Sequence, residues 1–161
     1  MNEIKAPEKV TGRPTLFLAG SIEMGTAVDW QQEAVKYFAD MRGIVLNPRR
    51  DNWDASWEQS IDNPQFAEQV NWELDGLANC RHILFYFQPN TKSPITLMEL
   101  GWALGRGHYS QNIAVVCQNG FWRKGNVDVM CTRYGQPVLT TLEAGLILTR
   151  RQVLTGRGGV I

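Results

Sequence analysis

The chain lacks a charge of one sign. Sixteen Lys and Arg balance sixteen Asp and Glu over 161 residues, so no general field draws it to polymeric nucleic acid or to a membrane. It has no apolar run long enough to span a bilayer and no signal segment is expected. Cysteine is scarce: Cys80, Cys117 and Cys131 form an odd set without CxxC spacing. Such a set excludes a disulfide framework and points to a reducing, cytoplasmic compartment. Cys117 falls in an apolar run and reads as core. There is no GxxxxGK[ST], and no GxGxxG follows the first strand, so a nucleoside-triphosphatase or dinucleotide-binding fold has no support. There is no GxSxG elbow, and Ser21 has no His near it in sequence, so a serine nucleophile is unsupported. His82 and His108 are the only histidines, and no spacing of His, Cys, Asp or Glu suits a metal. No cofactor is called for. Carboxylate chemistry remains.

What is present is an alternation of strands and helices. The length suits one domain with a sizeable core. Apolar runs predict strands at Thr15–Ala19, Ile44–Leu46, Ile83–Phe87 and Ile113–Cys117, with a weaker one at Val138–Leu139. Helical spacing and caps predict a helix from Asp29 or Thr26 to about Met41, and another from Pro64 to about Asn79. Further helices follow from Ser93 to Gly105 or Gly107 and from Thr141 to about Leu154, with a short helix or turn from Asn126 to about Arg133. Strands alternating with helices imply a parallel sheet covered on both faces. The expected fold is α/β, a flavodoxin-like doubly wound five-stranded sheet in a single domain, with strand order 2-1-3-4-5. Residues 1–14 are expected to form a flexible arm, residues 15–154 the domain, and residues 155–161 a Gly-rich tail. This order gathers the Gly20 loop, the Pro89 loop with the Ser93 helix, and the Asn119 loop above one sheet edge.

The helix starting at Ser93 holds one anomaly. Ser93 is expected to cap it through its hydroxyl, with Pro94 at the first helical position. Glu99 is the only charge from Ser93 through Gly105. Leu97, Leu100 and Leu104 form one apolar face, and Glu99 falls on another with Ile95, Trp102 and Ala103. A carboxylate among such neighbours is costly unless it is paired or used in chemistry. The competing explanation is a solvated Glu at a helix edge. The preceding helix carries Glu68, Glu73 and Asp75. Glu73 and Asp75 are two apart and point to different sides, so one at most faces a site with Glu99. The long, polar, Trp-rich stretch from Arg49 to Asn63 is the kind of connection that often serves function. Arg49 and Arg50 could hold a phosphate there, and Trp30, Trp53 or Trp57 could stack a base.

Three segments carry a family resemblance. Phe17-Leu18-Ala19-Gly20-Ser21-Ile22 resembles the first strand and loop of the nucleoside 2-deoxyribosyltransferase-like family. Glu73-Leu74-Asp75-Gly76-Leu77-Ala78-Asn79-Cys80, ahead of an apolar strand, is also similar. Ser93 to Ala103 matches the family's Glu-Leu-Gly-x-Ala position. The resemblance runs from about Thr15 to Leu139. It implies an enzyme that opens the N-glycosidic bond of a (deoxy)nucleoside or nucleotide. Glu99 would attack C1′ of the sugar and form a glycosyl-enzyme ester. Glu73 takes the place of an acidic residue, usually Asp, that handles the base, with Asp75 as the alternative. Gly20, Ser21, Ile22, Arg49, Ser93 and Asn126 are the candidate substrate contacts. Asn126 matches a position that family members supply across a dimer interface, so a homodimer or larger homo-oligomer is implied. The chemistry agrees: bond cleavage builds positive charge on the sugar, which a carboxylate can stabilise and trap, while a second carboxyl group helps the base depart. The segment Ser-Pro-Ile-Thr-Leu-Met departs from the family's Gly-Thr type of turn, and the Trp-rich stretch Asn52–Trp57 is unusual. Transfer to a second base, hydrolysis by water, and a non-catalytic nucleotide-binding module all stay open.

Overall fold

A computed structural model describes residues 1–22, 27–54, 56–106 and 112–156. Among them, six strands form one parallel sheet: β1 (Asn2–Lys5), β2 (Leu16–Gly20), β3 (Ile44–Asn47), β4 (His82–Phe87), β5 (Ile113–Cys117) and β6 (Val138–Leu139). Their order is β1-β3-β2-β4-β5-β6. The last five reproduce the expected 2-1-3-4-5 arrangement, and β1 adds a sixth strand outside it.

That sixth strand corrects the reading of residues 1–14 as a flexible arm. Asn2 to Lys5 pair in register with Ile44 to Asn47, and Met1 and Ala6 are buried. The Asn47 amide donates to Glu3 Oε1 at 2.7 Å, and Lys5 reaches Asp51 at 2.7 Å. The segment hides from periodicity because it is a short edge strand. Edge strands commonly carry charges on purpose, since one side meets water, and here Ile4 is the only aliphatic residue among Asn2, Glu3 and Lys5.

Helices cover both faces. α1 (Trp30–Tyr37) and α5 (Leu142–Thr155) lie on one; α2 (Pro64–Asn79), α3 (Pro94–Gly105) and α4 (Lys124–Arg133) lie on the other. Leu16, Leu18, Leu84, Tyr86, Ala114 and Val116 point toward Trp30, Ala34, Phe38 and Leu146. Their strand neighbours Phe17, Ala19, Phe85, Phe87, Val115 and Cys117 point toward Leu77, Leu100 and Leu104. Burial on both faces accounts for the unbroken apolar runs in β2, β4 and β5. The three cysteines are free and buried.

Caps set the helix starts. The Asp29 carboxylate accepts from the Gln32 N–H at 3.0 Å and starts α1; Thr26, the other candidate, lies outside the described residues. α1 ends at Tyr37, short of the expected Met41. Asn63 caps α2 just before Pro64, and Thr141 caps α5. α4 begins at Lys124, two positions before the expected start. The expected tail from Thr155 splits: Thr155 closes α5, and residues 157–161 lie outside the described residues.

Trp30 is 1% exposed and its indole N–H donates to the Ser21 carbonyl at 3.2 Å. It is a core residue, which overturns the idea that it could stack a base. It also explains Gly20. A Cβ there would sit 2.5 Å from the Trp30 ring and 2.6 Å from the Tyr86 carbonyl oxygen. Both neighbours are held, one by the core and one by the sheet. Gly20→Ala is expected to lower stability by about 1–3 kcal/mol, seen as a lower urea midpoint with an unchanged slope.

Candidate active site

The carboxyl edge of β2 and β4 is tied together by hydroxyl groups. Ser21, just past β2, is 1% exposed. Its Oγ lies 2.8 Å from Thr91 Oγ1 and 2.7 Å from Ser93 Oγ, and it accepts from the Gln88 N–H at 3.2 Å. Thr91 donates to the Gln88 carbonyl at 2.9 Å. Ser93 therefore does not cap α3 as expected. It occupies the N-cap position at φ 46° and ψ 50° with no capping bond from its side chain. A left-handed conformation costs a residue with a Cβ roughly 1–2 kcal/mol. The buried hydroxyl contacts hold it there. The Asn119 loop joins the same edge, because the Trp122 indole donates to the Lys92 carbonyl at 2.9 Å. All three loops expected at this edge meet there.

α3 descends from this edge and carries Glu99 inward. Thr96, Glu99, Leu100, Ala103 and Leu104 are its buried residues, while Ile95, Met98 and Trp102 are exposed. This corrects the expected face assignment: Glu99 shares the inner side with Leu100 and Leu104, and the apolar residues grouped with it, Ile95 and Trp102, face outward. Glu99 is 8% exposed, so it is not a solvated edge residue. Burial pushes its acid up to about 8, and the charge of Glu73 adds to the rise.

Glu73 comes from α2 on the same face of the sheet. Its Oε1 accepts from Gln69 Nε2 at 2.7 Å. Burial pushes this acid up to about 7, against the opposing pull of the Gln69 donor. Asp75 lies on the exposed side of α2, and Glu68, also exposed, sits 3.5 Å from Arg50. Of the two candidate acids on α2, the structure brings Glu73 and not Asp75 to Glu99.

The remaining candidates fall in different places. Gly20 closes β2 and Ile22 is partly buried beyond Ser21. Arg49 donates to the Ala27 carbonyl at 3.0 Å and approaches Asp29 at 3.8 Å, so it binds the start of α1 to the end of β3. Arg50 bonds Asn52 at 2.8 Å and lies over the Trp57 ring. Asn126 is exposed on α4, beside a groove shared with Leu97 and Gly101 of α3. Among the described residues, no cluster of three His, Cys, Asp or Glu could hold a metal, and no helix is long and apolar enough to cross a membrane. His82 is buried, which pushes its pKa down to about 4; His108 lies outside the described residues. A cavity at the opposite sheet edge is lined by Arg13, Arg42 and Arg81 without a carboxylate, so it offers nothing to glycosidic chemistry.

Sequence reading missed Gln69, Gln88 and Thr91. Only Gln69 left a signal: it stands one helical turn before Glu73, where an i, i+4 side-chain pair is expected to meet.

These features define a parallel α/β protein with two coupled carboxyl groups beneath the edge where such sheets bind small ligands. Residues 13–121 match the family model described as nucleoside 2-deoxyribosyltransferase like, and the chain belongs to that family. A comparison with curated proteins gives no match.

The raised acid has a consequence for stability. The folded pKa of Glu99 lies above its ordinary value of 4.5, so the folded state binds the proton more tightly. The stability this contributes is complete below about 4.5 and is lost as pH rises through about 8. Denaturant midpoints should fall between pH 5 and pH 9 by the equivalent of roughly 1–4 kcal/mol. Glu99→Gln should flatten that decline and be the more stable protein at the alkaline end.

Proposed function

We propose that the protein cleaves the N-glycosidic bond of a (deoxy)nucleoside or nucleotide through a glycosyl-enzyme on Glu99 and transfers the sugar to another base. The observation that carries this reading is the inward Glu99, buried on α3 and electrostatically coupled to Glu73. A structural helix has no use for a desolvated acid, whereas a carboxylate next to a forming sugar cation is worth more in a low-dielectric site than in water. As the C1′–N bond breaks, its electron pair leaves with the base. A Glu99 carboxylate oxygen forms the new bond to C1′, and Glu73 delivers a proton to the base. A second base then attacks C1′ and gives its N–H proton to the Glu73 carboxylate, while the C1′–O bond breaks with its electron pair going to Glu99, so both acids are regenerated. Ser21, Gly20, Ile22 and Ser93 line the edge above α3, and Arg49 stands near its rim as a candidate contact for a 5′-phosphate. No metal or cofactor enters these steps. Water in place of the second base makes the same site a hydrolase.

The working unit is proposed to be a homodimer or larger assembly in the cytoplasm. Ile95, Met98 and Trp102 on α3 and Trp122, Val129 and Met130 around α4 are exposed apolar residues on adjoining elements. Asn126 lies among them, so pairing of copies there would carry it toward a neighbouring active site. An active species that runs as a monomer in light scattering would remove the cross-subunit role of Asn126.

The test is intact-protein mass spectrometry after mixing with deoxynucleosides and their monophosphates, with base release followed in parallel. A sugar-sized adduct on the peptide containing Glu99, and exchange with an added base, are the expected results. Base release without adduct or exchange would favour the hydrolase. Binding without release would leave only a non-catalytic module. Glu99→Ala should fold and lose activity by roughly 10⁴-fold; an active Glu99→Ala protein would sink the nucleophile assignment. Glu73→Ala should cost more rate than Asp75→Ala, and the reverse order would move the base-handling role to Asp75.

A further inference from the structure

Gln69 is the one polar side chain among the buried residues of α2, at 3% exposure. A buried primary amide is costly unless it is bonded. Its Nε2 donates both hydrogens, to the Pro48 carbonyl at 3.0 Å and to Glu73 Oε1 at 2.7 Å. The Pro48 oxygen can only accept, so it must face the nitrogen of the amide and not the oxygen. That carbonyl fixes which way the amide is turned. Glu73 Oε1 therefore meets an N–H, Glu73 Oε2 stays outside this contact, and the buried Gln69 Oε1 is left without a partner among the described residues.

Resting on the glycosidic reading above, we propose that Gln69 is a positioning residue that locks the Glu73 carboxyl and steers its proton to Oε2, so that Glu73 meets the departing base as a hydrogen-bond donor. The proton then passes from Oε2 to a base nitrogen while the C1′–N electron pair goes to the base. Glu73 is left as a carboxylate with Oε1 held by the Gln69 N–H. A bond to the charged form is the stronger one, so the same contact that orients the acid also eases its ionisation. Pro48 takes part only as the anchor of the amide.

Other charges around Glu73 are accounted for. Glu99 on α3 is coupled to it. Arg49 and Arg50, which follow Pro48, are turned to Ala27 and Asp29 and to Asn52 and Glu68. Glu68 and Asp75 on α2 are exposed. Removing the Gln69 donor leaves burial unopposed, and burial favours the protonated form of Glu73.

The experiment is a carboxyl ¹³C NMR titration of Glu73 in the intact protein, in wild type and in Gln69→Met, repeated on the Glu99→Gln background to separate the two acids. Gln69→Met keeps the length of the side chain; Gln69→Leu is the second variant if it fails to fold. Glu73 should titrate at least half a pH unit higher without the amide, and the alkaline limb of kcat/KM for base release should move up with it. An unmoved Glu73 titration would overturn the proposal. So would a pH–rate profile of unchanged shape and merely lower height, which is what a structural role gives. If the titration moves but wild type releases no base from any nucleoside or nucleotide, the link between Gln69 and Glu73 stands and the glycosidic reading fails.

Discussion

The inward turn of Glu99 depends on where α3 begins. The hydroxyl cluster of Ser21, Thr91 and Ser93 pins the start of that helix to the ends of β2 and β4. With the start held, the 3.6-residue repeat sends Thr96, Glu99 and Ala103 to the same inner side. Leu100 and Leu104 then lock the rotation by filling the core against the sheet. Glu99 is buried as a consequence of its neighbours' packing. Packing of this strength, a few kcal/mol per large aliphatic side chain, is what can hold an acid out of water when the acid itself favours exposure.

The second acid follows from the same constraint. α2 reaches the sheet through a close approach at Gly76, where a Cβ would sit 2.7 Å from the Phe17 ring. With α2 seated there, Gln69 and Glu73 fall on the side toward the end of β3 and toward α3, and Asp75 falls outside. Burial raises both carboxyl groups, and because they resist being charged together the charge of Glu73 raises Glu99 further. A reaction that uses Glu99 as the carboxylate and Glu73 as the acid has to move the shared proton from Glu99, the more strongly raised group, to Glu73. The polar groups around them are arranged for direction as well as charge: the Pro48 carbonyl orients Gln69, and Gln69 orients Glu73.

Much of this is legible in the sequence. β2, β4 and β5 are buried on both faces and show as unbroken apolar runs. Pro64 and Pro94 mark two helix starts, and Asp29, Asn63 and Thr141 cap three. β1 was not legible, because an edge strand of four residues with one aliphatic side chain carries no periodic signal. The role of Ser93 was misread for a related reason: a serine before Pro94 looks like a cap, and only its left-handed backbone turns the hydroxyl away from the helix and into the cluster.

The sequence by itself marked the strands β2 to β6, the helices between them and the identity of Glu99 as the odd charge in an apolar helix. These follow from local periodicity and composition, which are properties of neighbours along the chain. Tertiary structure decided which side of α3 faces inward, which acid on α2 joins Glu99, and that Trp30 belongs to the core. It also joined Gln69 to Pro48, 21 positions away. Those outcomes depend on helix rotation and on contacts between distant segments, and rotation is set by close packing against the sheet rather than by any residue's own preference.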